Sequence, residues 1–154
     1  MAALPAVIIV TSTRTQHRDD IATPPSALGG SPSSMDCWWS ALSAHGLLDP
    51  ASVYLACNAN NYKYFEYEAW GKGVPLPNII NSGRSLGENL VEWSTLRLAV
   101  RAAQRGGGAA PRSVLLIAAD CAPEGGAPTC EAYLGELLRV LASTGRSAAL
   151  TRRA

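Results

Sequence analysis

None of the four cysteines pairs with another at C-x-x-C spacing: Cys37, Cys57, Cys121 and Cys130 are scattered along the chain. That spread argues against a structural zinc site and against a disulfide framework, so Cys37 and Cys57 are expected to be buried thiols. Histidine is equally scarce. His17 and His45 are the only two, neither sits in an H-E-x-x-H arrangement, and both are expected at turns or on the surface. There is no G-x-S-x-G elbow from which to start a serine-hydrolase argument, although triad members meet only in the fold. The G-x-G-x-x-G turn of dinucleotide-binding dehydrogenases is missing after the first predicted strand, which disfavours a dehydrogenase or methyltransferase. No apolar run approaches the length of about 18 residues that a transmembrane helix needs. The opening Ala3-Leu-Pro-Ala-Val-Ile-Ile-Val10 has no basic leader or cleavage pattern, so a soluble, cytoplasmic protein is expected. Charge is sparse too. Charged residues make up 16% of the chain and the formal net charge is +1, an average that predicts neither a nucleic-acid nor a membrane partner.

What remains is an alternation of short β-branched runs and helical patterns over 154 residues, a length that suits a single domain spanning 1–154. Ala6–Val10 reads as the first strand, followed by a polar, Pro/Gly-rich stretch from Thr11 to Ser34. Loops that long in compact domains are usually functional or disordered, so 15–34 is expected to be a mobile loop. Met35–His45 reads as a helix with Ser34 as N-cap, Gly46 as its stop, and Trp38, Leu42 and His45 on one face. Val53–Cys57 is the second strand, and an aromatic-rich helix then runs through Tyr62, Phe65 and Trp70 to Gly71 and Gly73. Tyr62, Phe65 and Ala69 share a face that suits core packing better than base stacking.

Asn78–Asn81 is a short third strand, and Glu88–Gln104 an amphipathic helix whose core face is Leu90, Trp93, Leu96 and Val100. Ser113–Asp120 is the fourth strand, Thr129–Ser143 a helix and Ser147–Leu150 a last strand. Helices between strands predict an α/β fold: a Rossmann-like, mostly parallel sheet with helices on both faces.

Ser113-Val-Leu-Leu-Ile-Ala-Ala-Asp120 is the most informative run, because continuous hydrophobics mark a strand buried on both faces and this one ends in a carboxylate. In open α/β sheets ligands sit beyond the carboxyl ends of the strands, where Asp120 could hold one position on Mg²⁺. The same aspartate could equally open the turn before Cys121-Ala-Pro. The other strand-end residues are Thr11, Ser12, Thr13 and Arg14 after the first strand, Asn58 after the second, and Ser82 and Gly83 after the third. Hydroxyls, backbone N–H groups and the Arg14 guanidinium suit a phosphate, and Arg14 also suits a solvated loop.

Val53-Tyr-Leu-Ala-Cys-Asn-Ala-Asn-Asn-Tyr-Lys-Tyr-Phe-Glu-Tyr-Glu-Ala-Trp70 and Pro77-Asn-Ile-Ile-Asn-Ser-Gly83 resemble stretches of one enzyme family. That family is the NDP-sugar pyrophosphorylase-like nucleotidyltransferases, which join a nucleoside triphosphate to a sugar phosphate or phosphocholine on a glycosyltransferase-A-like fold. Val114–Asp120 is similar to the family's strand carrying its metal-binding aspartate, and Gly30-Ser-Pro-Ser-Ser-Met-Asp-Cys-Trp-Trp39 to the segment before its first helix. The resemblance covers nearly the whole chain. It implies nucleotide binding by Thr11, Ser12, Thr13, Asn58, Ser82 and Gly83, a catalytic role for Arg14, and Mg²⁺ on Asp120. The partners implied are a nucleoside triphosphate and a phosphorylated small molecule, with further domains or a protein partner beyond this nucleotide-binding half.

The chain departs from the family where phosphate is handled. Val10-Thr-Ser-Thr-Arg14 keeps Thr13 and Arg14 of Gly-x-Gly-Thr-Arg but neither glycine, and Pro24-Pro25 stands where the family has Pro-Lys. Ala119 replaces the glycine before the metal aspartate. Phosphoryl-group chemistry depends on positioning and charge neutralisation, so these changes imply an impaired enzyme or an inactive binding or interaction domain, a pseudoenzyme.

Overall fold

The computed structural model describes residues 4–11, 34–57, 68–81, 93–106, 113–118 and 125–144. Among the described residues four strands form one sheet: β1 (Ala6–Thr11), β2 (Val53–Cys57), β3 (Ile79–Asn81) and β4 (Val114–Ala118). The sheet order is β3-β2-β1-β4, and each of its three pairings is parallel. The longer helices among the described residues that pack on it are α1 (Ser34–Ala44), α2 (Trp93–Arg105) and α3 (Ala127–Thr144).

Side-chain alternation along the strands sorts the core into two layers. Val7 and Ile9 of β1 join Val53, Leu55 and Cys57 of β2 and Ile117 of β4 under α1 and α3. Ala6 and Ile8 join Tyr54 and Ala56 under α2 on the opposite face. The change of face has a topological cause. Going from β1 to β2 the chain steps one way across the sheet, whereas from β3 to β4 it passes back over β2 and β1. Parallel crossovers keep one hand, so reversing direction puts the connecting helix on the other side. The sequence therefore predicts the α/β class, the parallel sheet and the two helical layers.

Element boundaries differ at points with identifiable causes. Ser34 is the first residue of α1 rather than its cap. Asn78 belongs to a 3-10 turn, Leu76–Asn78, and its side-chain amide donates to the carbonyls of Ala51 and Val53, tying the entry of β3 to that of β2. Helix α3 begins at Ala127, two residues before the expected Thr129.

The largest correction concerns α2. Trp93, assigned to the core face by its spacing, is 69% exposed, while Thr95, Ala99 and Ala103 are wholly buried. Leu96 and Val100 pack at the margin of that layer. A helix carrying small residues at every fourth position can lie close on a sheet, so the alanines set the buried face and the larger apolar residues flank it.

β4 is likewise not sealed on both faces. It is an edge strand among the described residues, and Leu116 is 44% exposed while Ile117 is buried. In the aromatic-rich segment residues 68–71 are helical, with Ala69 buried and Trp70 exposed. Tyr62, Phe65, the loop 15–33, residues 88–92 and the last strand 147–150 lie outside the described residues.

Candidate functional site

In a parallel sheet all carboxyl ends lie on one edge. Thr11, Cys57 and Asn81 stand in one row of the register, and Ala118 pairs with Val10 one row below. Order β3-β2-β1-β4 makes the chain leave β1 toward β2 on one side and arrive at β4 on the other, so the direction of winding reverses between β1 and β4. Open α/β sheets form a crevice at such a reversal, because the flanking connections diverge from it. The edge defined by Thr11 and Ala118 is therefore the candidate site.

Of the residues singled out in the sequence, the structure places Thr11, the last residue of β1. Ser12, Thr13, Arg14, Asn58, Ser82, Gly83 and Asp120 lie outside the described residues. Asn58 follows Cys57 and Ser82 follows Asn81, the ends of β2 and β3. Ser12 and Asp120 each come two residues after a member of the pair Val10–Ala118.

Thr95 was not among the sequence candidates. It sits in the first turn of α2, is fully buried, and its Oγ1 has no hydrogen-bond partner. A buried hydroxyl without a partner is uncommon and costly. Because α2 links two parallel strands it runs antiparallel to them, and its first turn is the end nearer the carboxyl edge. The sequence signal was available in the small residues at 95, 99 and 103, one of which is polar.

On the other helical layer, the Asp36 carboxylate in the first turn of α1 is paired with the ammonium of Lys72. Lys72 Nζ also lies 5.9 Å from the centre of the Trp39 ring, a cation–π distance. His45 follows α1 and its Nε2 donates to the carbonyl of Glu131 in α3 at 2.8 Å, so this histidine joins two helices.

The described thiols are built for packing. Cys37, Cys57 and Cys130 are free and buried, the first two as their scattered spacing predicts. Burial raises the Cys37 thiol, helped by nearby Asp36. Cys130 is pushed up to about 12, chiefly by burial and then by neighbouring Cys37. A thiol held this firmly protonated is a poor nucleophile at neutral pH. No group of three or more His, Cys, Asp or Glu side chains among the described residues could hold a metal. No helix among them is long and apolar enough to cross a membrane.

Compared with known proteins, the chain matches no family model, no curated protein and no solved structure.

Proposed function

We propose that this chain is a nucleotidyltransferase-like, nucleotide-binding domain with a Rossmann-like sheet, taking a nucleoside triphosphate at the carboxyl edge between β1 and β4. One observation carries the reading: four parallel strands in the order β3-β2-β1-β4, whose winding reverses between β1 and β4. The segments that follow those two carboxyl ends supply the chemistry. Thr11 ends β1, Ser12, Thr13 and Arg14 follow it, and Asp120 comes two residues after β4. Hydroxyls and backbone N–H groups suit phosphate oxygens, and a guanidinium pairs with phosphate through two parallel hydrogen bonds. Asn58, Ser82 and Gly83, one or two residues beyond β2 and β3, suit the base and sugar on the same edge.

Asp120 is the residue that would hold Mg²⁺, an ion commonly bound by one or two carboxylates together with the substrate's own phosphates. Bound there, the ion neutralises phosphate charge. Transfer of a nucleoside monophosphate to a sugar phosphate or phosphocholine then requires in-line attack on the α-phosphate, with pyrophosphate leaving. Without the family's lysine and glycine loop, charge neutralisation rests on Arg14 and the ion, which favours weak transfer or binding without transfer.

Calorimetric titration with each Mg²⁺-nucleoside triphosphate separates these outcomes when joined to an assay for pyrophosphate release. Binding with release supports an impaired enzyme, and binding without release supports an inactive nucleotide-binding domain. No binding to any of the four nucleotides overturns both.

A further inference from the structure

The outer face of α2 carries a line of side chains that neither the core nor the carboxyl-edge site uses. Trp93, Arg97, Arg101 and Arg105 recur at every fourth position and all four are exposed. Each step rises about 6 Å along the helix and turns about 40°, so the three guanidinium groups follow a shallow wrap of about 12 Å that begins at an indole ring. Trp93 is 69% exposed. The helix, Trp-Ser-Thr-Leu-Arg-Leu-Ala-Val-Arg-Ala-Ala-Gln-Arg, contains no acidic residue to neutralise the line. Like charges four residues apart destabilise a helix, and interleaved glutamates are the ordinary remedy. Here that remedy is absent. Within the helix, the polar contact of these arginines is Arg105 Nε donating to the carbonyl of Arg101 at 3.2 Å.

We propose that this stripe binds single-stranded nucleic acid, with a base stacked on Trp93 and successive phosphates on Arg97, Arg101 and Arg105. Exposed aromatic rings beside a basic track are the two elements that sequence-tolerant single-strand binding requires. A guanidinium matches phosphate through paired hydrogen bonds, and three in line match a chain of phosphates better than a single ion. A duplex fits less well, because its bases are already stacked and cannot cover Trp93. A membrane fits less well too. The apolar face of α2 is spent on the sheet, where Thr95, Ala99 and Ala103 are buried, leaving Trp93 and Leu98 as its large exposed apolar residues. A run of carboxylates such as polyglutamate offers charge without a flat ring for the indole. The net charge of +1 averages this local stripe with the rest of the chain and so does not reveal it.

The test is fluorescence anisotropy with labelled oligouridylate and oligothymidylate of about twelve nucleotides, run beside a duplex of equal length, polyglutamate and vesicles containing anionic phospholipid. Three phosphate contacts predict an affinity that falls about 20-fold between about 50 and 200 mM salt. Trp93→Ala is expected to weaken binding about 10-fold. Arg97→Gln combined with Arg101→Gln and Arg105→Gln is expected to abolish it while leaving the circular dichroism spectrum and mononucleotide titrations unchanged. The proposal is overturned if neither oligonucleotide binds at low salt, or if the triple variant binds as well as the parent. It is overturned equally if polyglutamate, duplex or vesicles bind as tightly with the same dependence on Trp93. A preference for oligouridylate assigns the strand to RNA, and equal binding to both assigns the shared phosphate-and-base chemistry.

Discussion

Gly46 and Gly73 end their helical segments in the same way, and each does so with a positive φ, 66° and 85°. Leu47 N–H reaches back to the Leu42 carbonyl and Gly46 N–H to that of Ser43, while Val74 N–H reaches Ala69 and Gly73 N–H reaches Trp70. These are paired Schellman closures, each followed by an apolar residue that packs into the core under α1. Nothing lies within 4 Å of a Cβ built on Gly46, so alanine there strains the backbone without a clash. Gly46→Ala is expected to lower the unfolding free energy by about 1 kcal/mol in urea titrations, with no change in the slope. The thiols give a second residue-scale expectation. Cys37, Cys57 and Cys130 should resist alkylation in the native protein and react fully in denaturant, as read by mass mapping. Because folding raises the Cys130 pKa to about 12, its contribution to stability is intact below the unfolded thiol's pKa near 8.5 and is lost as pH climbs from there toward 12. Unfolding midpoints measured from pH 8 upward should therefore fall. A flat profile would show that the buried thiol is not sensed.

Helix α2 is where pattern reading and packing diverge. Hydrophobic spacing puts Trp93 inside, yet the sheet beneath α2 presents Ala6, Ile8, Tyr54 and Ala56, and the helix meets it with Thr95, Ala99 and Ala103. Side-chain volume, not hydropathy, decides the face, and volume matching across a sheet cannot be seen in one helix's sequence. Two substitutions separate the alternatives by denaturant unfolding. Ala99→Leu should cost about 1–3 kcal/mol by overpacking, whereas Trp93→Ala should stay within about 0.5 kcal/mol of the parent. The reverse order would restore the face expected from spacing. By contrast, β1 and β2 are legible almost to the residue, because short apolar runs buried on both faces and bounded by polar residues have few other readings. β4 shared that pattern, but its position in the sheet could not be read locally, so the exposure of Leu116 was invisible in the sequence. The Asp36–Lys72 pair beside Trp39 joins residues 36 positions apart and has no sequence signature either. It fastens α1 to the segment before β3, and Lys72→Met should lower stability by about 1 kcal/mol.

Sheet order, a property of the whole molecule, brings the carboxyl ends of β1, β2, β3 and β4 onto one edge. In the sequence, Thr11, Ser12, Thr13, Arg14, Asn58, Ser82, Gly83 and Asp120 each end or follow a predicted strand. The parallel sheet puts the carboxyl ends of those strands side by side. What alternation could not give is the order of the strands, and hence where the winding reverses. That reversal rests on β4 pairing with β1, a contact between residues more than a hundred positions apart. The proposed nucleotide site at the β1–β4 carboxyl edge can be probed by backbone amide chemical-shift mapping of the 16.2 kDa protein with each Mg²⁺-nucleoside triphosphate. Nucleotide at that edge should shift Thr11, Cys57 and Ala118 with little change at Ala6, Val53 and Val114, and the effect should be lost in Arg14→Gln and Asp120→Asn. Shifts confined to the amino-terminal edge, or none with any nucleotide, would contradict the proposed site.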